Sequence, residues 1–125
     1  MPTVELTKEN FTSTLEDNDI VLVDFWASWC GPCRMFSPIY ESVSERHPDV
    51  VFGKVDTEAQ QELAGVFSIM SIPTLMIFRE KMALFAQPGV LPEPALEDLV
   101  RQTRDLDMEQ VRAQVADHGD HRAEH

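Results

Sequence analysis

The sequence predicts an α/β fold with a central mixed sheet of four to five strands and helices on both faces. Three observations carry this. Ile20–Ala27 is apolar on both of its alternating faces except at Asp24, so this strand must be covered from two sides. Strand-like and helix-like patterns then alternate along the chain, which calls for parallel crossovers. Finally, two strand-like runs, Thr74–Phe78 and Met82–Ala86, stand only three residues apart, so the sheet ends in an antiparallel hairpin. Both cysteines, Cys30 and Cys33, lie where the central strand gives way to a helix. In open α/β sheets, chemistry collects at such carboxyl ends of strands.

Taken in order, Thr3–Leu6 reads as a short edge strand. Thr7 is expected to cap a first helix in which Phe11 and Leu15 share a face, and Asp17-Asn18-Asp19 to end it. In the central strand Val21, Val23, Phe25 and Ala27 point one way, and Ile20, Leu22, Asp24 and Trp26 the other. Asp24 is therefore a buried carboxyl, and burial disfavours its charge and raises its pKa. Taken alone, it is either a satisfied structural group or a proton acceptor for the second thiol. A helix follows from Arg34 to His47, kinked at Pro38 and ended by His47-Pro48-Asp49.

Val50–Asp56 is the next strand, interrupted by Lys54. If it neighbours the central strand, Lys54 lies beside Asp24 and moderates its pKa; otherwise its stem snorkels to the sheet edge. Thr57-Glu58-Ala59-Gln60 has the form of a capping box for a third helix through Leu63, Ala64 and Phe67. The hairpin connection Arg79-Glu80-Lys81 has no glycine. A type I′ turn needs positive φ at both central residues, so a longer or different turn is expected there. Gly89, in Gln87-Pro88-Gly89-Val90, either ends the strand or lets another backbone come close. Leu91-Pro92-Glu93-Pro94 opens a further helix with Leu96, Leu99 and Val100 on its apolar face.

Beyond Asp105, Met108, Val111 and Val115 recur at helical spacing, predicting a continued helix or a short extra one. Residues 117–125 are polar, and disorder is the expectation there. His118, His121 and His125 stand among acids, which reads as a solvated tail rather than a metal site. The chain thus divides into one domain, residues 1–106, and an acidic C-terminal extension, 107–125.

The chain has 125 residues, 43% of them hydrophobic, enough for one domain with a real core. With 22 acids against 10 bases its formal charge is −12, which argues against nucleic-acid binding, since phosphates require a basic surface. Two cysteines do not make the disulfide framework of a small secreted domain. No basic stretch followed by an apolar one opens the chain, and no apolar run approaches membrane-spanning length. The expectation is a cytoplasmic protein that touches no membrane and needs no dimer.

The motif Trp29-Cys30-Gly31-Pro32-Cys33 carries the chemistry. Cysteines at i and i+3 share one face of a helical turn, within disulfide range, so dithiol and disulfide can interchange with little backbone movement. Cys30 falls at a helix N-terminus, where free N–H groups and the dipole favour the thiolate that attacks disulfides. Gly31 allows close approach of another backbone, and the missing N–H of Pro32 costs nothing in a first helical turn. A zinc site would need more ligands, and neither a second cysteine pair nor a suitably spaced histidine exists.

The stretch from Val23 to Arg34, Val-Asp-Phe-Trp-Ala-Ser-Trp-Cys-Gly-Pro-Cys-Arg, resembles the active-site segment of thioredoxins. Ser71-Ile72-Pro73-Thr74 resembles a second signature of that family, and the resemblance covers residues 4–105. It implies a thioredoxin fold and an enzyme that reduces protein disulfides by dithiol–disulfide exchange. Cys30 would be the nucleophile, Cys33 the resolving thiol and Asp24 the proton acceptor, with Lys54 tuning Asp24. X–Pro bonds in folded proteins are mostly trans, yet the resemblance implies a cis Ile72–Pro73 bond facing the cysteines. Trp29, Ile72, Pro73, Gly89 and Val90 would then receive an extended client by strand addition. The resemblance implies no bound cofactor and no metal. The redox group is the Cys30–Cys33 pair, with electrons from NADPH through thioredoxin reductase, and the partners are that reductase and disulfide-containing clients. The alternative, favoured by the acidic extension, is a thioredoxin-fold binding or subunit module with a dedicated partner.

Overall fold

The central strand β2 (Ile20–Trp26) is buried along its whole length except at Trp26, and the other elements are arranged around it. The computed structural model describes residues 3–123, with side chains for 3–116. Its sheet also contains β1 (Thr3–Glu5), β3 (Val51–Asp56), β4 (Thr74–Arg79) and β5 (Met82–Pro88), in the order β1-β3-β2-β4-β5. β3 runs parallel to both β1 and β2, whereas β4 is antiparallel to β2 and to β5. This is a mixed sheet of the kind the sequence predicts, with five strands where four to five are expected.

The two faces of β2 build two cores. Val21, Val23 and Phe25 pack with Phe11 of α1 (Phe11–Asp17) and Leu63 of α3 (Gln61–Val66). There Phe67 lies within 6 Å, ring centre to ring centre, of Phe11, Phe25 and Phe78. On the other face Ile20 and Leu22 pack with Phe36, Tyr40 and Val43 of α2 (Gly31–Glu45) and with Leu96 and Val100 of α4 (Glu93–Asp105). The buried Tyr40 hydroxyl donates to the Gly53 carbonyl at 2.8 Å, tying α2 to β3. Pro38 sits inside α2, as expected.

Four local expectations change. Thr7 does not cap α1: its N–H donates to Asn10 Oδ1, its carbonyl closes a turn, and the helix begins at Phe11 with Asn10 as cap. Residues 57–60 do not form a capping box either. The Thr57 hydroxyl donates to Trp26 O, Asp56 Oδ1 accepts from the N–H groups of Glu58 and Ala59, and Gln60 is the N-cap of α3 without a side-chain bond. The strand end has captured the hydroxyl that a capping box would have used. α2 starts at Gly31 rather than Arg34, which brings the whole Gly31-Pro32-Cys33 segment into its first turn, and it stops at Glu45.

The fourth change is the hairpin. Arg79 pairs with Met82 across a tight two-residue turn, with φ of +51° at Glu80 and +69° at Lys81. The glycine-free pair adopts the left-handed conformation that argued for a longer turn. Outside contacts hold it there. The Glu80 N–H donates to Asp19 O at 2.9 Å, and the Glu80 carboxylate pairs with Arg112. Register then slips between Ile77 and Phe78, where Leu84 of β5 is left without an opposite number.

Arg112 belongs to a separate helix, α5 (Met108–Ala123), which runs through most of the polar stretch where disorder was the expectation. Glu124 and His125 lie outside the described residues, as do the side chains of the three tail histidines. Asp107 Oδ1 accepts from the N–H groups of Glu109 and Gln110 at its start, and Met108 is buried. The Arg79 guanidinium donates to Thr103 O and Arg104 O, closing the end of α4 just before the turn into α5. The extension therefore docks at the pole where β2 begins, opposite the end that leads to the cysteines. Among the described residues no helix is long and apolar enough to cross a membrane.

Gly53 shows how tightly the sheet meets its cover. A Cβ there would lie 2.8 Å from Leu6 Cγ and 3.3 Å from Leu22 O. Gly53→Ala is expected to cost about 1–3 kcal/mol through overpacking, read as a lower urea midpoint with an unchanged m value.

Candidate active site

Cys30 ends the loop after β2 and is the N-cap of α2, with extended backbone, and Cys33 lies in the first turn. The two form a disulfide across a Cα–Cα distance of 5.2 Å. The Cys33 N–H donates to Cys30 Sγ at 3.2 Å, so the helix start already directs one of its free N–H groups at that sulfur. Pro32 occupies the first turn, where its missing N–H is harmless. Cys30 and Cys33 are only 4% and 3% exposed. Helix position, not exposure, is what distinguishes the two sulfurs.

The Ile72–Pro73 bond is cis, and the Ile72 carbonyl oxygen lies 3.7 Å from Cys30 Sγ. Sulfur in a disulfide has no proton to donate, so this is a packing contact that brings the loop against the redox pair. Gly89, at φ +100°, donates its N–H to Pro73 O at 2.8 Å. Trp29 is 65% exposed on the opposite flank, its indole N–H donating to Glu58 Oε1 at 2.7 Å. Ile72 thus packs against the disulfide, Trp29 adjoins Cys30 along the chain, and Gly89 is tied to the same loop through Pro73. Val90 is half-buried against the layer beneath α2 and α4. Beside the cis-proline loop runs an apolar groove of about 230 Å³, lined by Phe67, Ile69, Met70, Met76 and Pro88 among others. Met70 is 93% exposed at its edge. Sequence reading missed this groove and the Glu58 brace on Trp29; neither has a motif.

Asp24 is wholly buried, and neither carboxylate oxygen has a hydrogen-bond partner among the described residues. Burial pushes its pKa from 3.8 up to about 7, and Lys54 partly opposes the rise. Lys54 is the register partner of Asp24 on β3, so of the two readings the neighbouring one holds. Its ammonium, however, reaches Ser37 Oγ at 3.1 Å and stands 5.0 Å from the centre of the Trp26 ring. Burial and the nearby Asp24 charge also push the Tyr40 hydroxyl well above its ordinary range. Among the described residues no three His, Cys, Asp or Glu side chains gather as a metal site would need.

The raised pKa has a stability consequence. Between pH 3.8 and about 7 the folded chain holds a proton on Asp24 that the unfolded chain has released, so Asp24 makes stability fall as pH rises through that window. The full penalty above pH 7 is at most about 4 kcal/mol. Asp24→Asn in the disulfide form is expected to be more stable than the parent by a few kcal/mol at pH 8. The two should converge near pH 4, as read by urea unfolding at both pH values.

Comparison with known proteins agrees with this geometry. The Thioredoxin family model matches residues 2–102. A Streptomyces coelicolor relative named "Putative thioredoxin 2" is 65% identical over 115 residues, covering 92% of this chain and 86% of its own length. The thioredoxin of Bacillus subtilis is 37% identical over 101 residues, covering 80% of this chain and 96% of its own. Among solved structures, a single-residue mutant of a Halobacterium salinarum thioredoxin superposes with a TM-score of 0.77 at 32% identity, covering 83% of this chain and 92% of that one. By fold, by sequence and by its paired cysteines, this chain belongs to the thioredoxin family and is a dithiol–disulfide oxidoreductase that reduces protein disulfides.

Proposed function

We propose that Cys30 attacks, Cys33 resolves and Asp24 accepts the proton that Cys33 must lose. The observation that carries this is the redox pair at the N-terminus of α2, directly after the strand that holds a buried carboxyl without a hydrogen-bond partner among the described residues. Cys30 as N-cap has the helix N–H groups to stabilise a thiolate. That thiolate attacks one sulfur of a client disulfide, forms a mixed disulfide and expels the first client thiolate. Cys33 passes its proton to Asp24, whose pKa near 7 suits both taking and releasing a proton at neutral pH. Cys33 then attacks Cys30 Sγ and displaces the second client thiolate. The two client thiolates are protonated by the proton that Asp24 gives up and by one from water, so the client has gained two electrons and two protons, Asp24 is reset and Cys30–Cys33 is a disulfide again.

In this reading Lys54 tunes Asp24, while Gly31 and Pro32 hold the pair in the helix start. The exposed Trp29 and the Ile72–Pro73 edge receive the client, with Gly89 leaving room for its backbone and Val90 supporting the rim from below. The buried pair beside an exposed aromatic and a free backbone edge supports strand addition as the docking mode. Electrons return from NADPH through thioredoxin reductase, and the chain carries no cofactor beyond its own disulfide. Residues 1–106 act as the redox domain, with 107–125 as an extension, in a cytoplasmic monomer.

The test is NADPH consumption with a bacterial thioredoxin reductase and insulin as acceptor. The parent should turn over and Cys30→Ser should not, while Cys33→Ser should accumulate as a mixed disulfide through Cys30. Asp24→Asn should slow resolution at pH 7 by about a hundredfold. No turnover by a parent whose disulfide is still chemically reducible would replace the general reductant with a dedicated-partner module. Trapping through Cys33 in Cys30→Ser would reverse the two thiol roles.

A further inference from the structure

Asp24 and Lys54 are opposite numbers on neighbouring parallel strands, yet among the described residues the carboxylate has no hydrogen bond and the ammonium bonds elsewhere. Lys54 Nζ donates to Ser37 Oγ at 3.1 Å and stands over the Trp26 ring, 5.0 Å from its centre. Ser37 lies one helical turn after Cys33, so a single turn of α2 presents both the second thiol and the tether of the lysine. Serine inside a helix is a poorer helix former than alanine, and its hydroxyl commonly bonds back to the preceding turn. Here it faces across to β3 instead.

We propose that Ser37 is a positioning residue: together with the Trp26 ring it holds the Lys54 ammonium away from Asp24, and so sets how firmly Asp24 keeps its proton. An ammonium free to bond a bare buried carboxylate would do so, because both groups are only partly compensated where they stand. The Ser37 hydroxyl supplies the competing acceptor, and the indole face supplies the competing attraction for positive charge. Among the described residues no other charged side chain competes for this role. From α2, Tyr40 faces Asp24 with its hydroxyl committed to Gly53 O and held uncharged. From β4 the register partner is the apolar Leu75, and α4 contributes the apolar Leu96 to the same layer. At the helix start above stand Cys30 and Cys33, joined as a disulfide in the oxidised form. The proposal rests on Asp24 as the proton acceptor for its functional meaning, but not for its electrostatics.

The test reads the Asp24 carboxyl directly, by carbon NMR titration of the oxidised full-length chain. The variants are Ser37→Ala, Ser37→Thr, Lys54→Met and the Ser37→Ala/Lys54→Met pair. Ser37→Ala should lower the Asp24 midpoint by about half a pH unit or more. Ser37→Thr keeps the hydroxyl and should stay with the parent. Lys54→Met should raise the midpoint, and adding Ser37→Ala to it should change nothing further. An unchanged or raised midpoint in Ser37→Ala overturns the proposal, as does an equal drop without Lys54. The pH profile of mixed-disulfide resolution is then measured on the same proteins. If the carboxyl midpoints move as stated while the profile ignores both them and Asp24→Asn, Ser37 still positions Lys54, and it is Asp24 as proton acceptor that fails.

Discussion

The burial of Asp24 in the middle of β2 is the constraint on which the rest depends. A carboxyl in that position costs free energy unless it is protonated or paired, and here it has no hydrogen-bond partner among the described residues. The fold tolerates it because β2 is otherwise apolar on both faces, with aromatic and aliphatic layers from α1 and α3 on one side and α2 and α4 on the other. These layers also keep water away, which holds the group near neutrality in its titration. The same strand leads into the N-terminus of α2, so the carboxyl and the redox pair are fixed to each other through a few residues of rigid backbone.

Around that axis the reaction face is assembled from separate loops. α2 contributes the disulfide, the loop before β4 contributes the cis-proline edge, and the loop after β5 contributes Gly89. They converge because β4 is antiparallel to β2: its first residue, not its last, lies beside the carboxyl end of the central strand. The face is mostly apolar in a chain of strongly negative charge. In the proposed docking mode, client selection is weighted toward burial and backbone pairing over broad electrostatic steering.

Much of this was legible in the sequence, and the failures share a cause. The order of strands and helices and the two faces of β2 follow from periodicity, because burial on two sides leaves a long, regular signal; the pairing of Asp24 with Lys54 is one of two readings the sequence leaves open, and the strand register decides it. The cysteine pair was legible because its spacing has a direct geometric meaning. Short polar segments were not. Thr7, Thr57 and the Glu80-Lys81 turn each followed a local rule that another partner overrode: Asn10 three residues along for Thr7, and the distant Trp26 carbonyl and Asp19 with Arg112 for the other two. The cis Ile72–Pro73 bond was expected only through family resemblance, since no local rule distinguishes that proline. Ser37 carried no signal at all; only the arrangement of α2 over β3 reveals what its hydroxyl meets.

The position of α5 has a practical consequence. It is fastened beside the Glu80-Lys81 turn and the end of α4, across the sheet from the disulfide. A fluorophore, affinity handle or surface linker joined to α5 beside Arg112 would sit on the far side of the molecule. An immobilised chain built that way would present its cysteines outward to solution, with its whole reducing face open to large substrates.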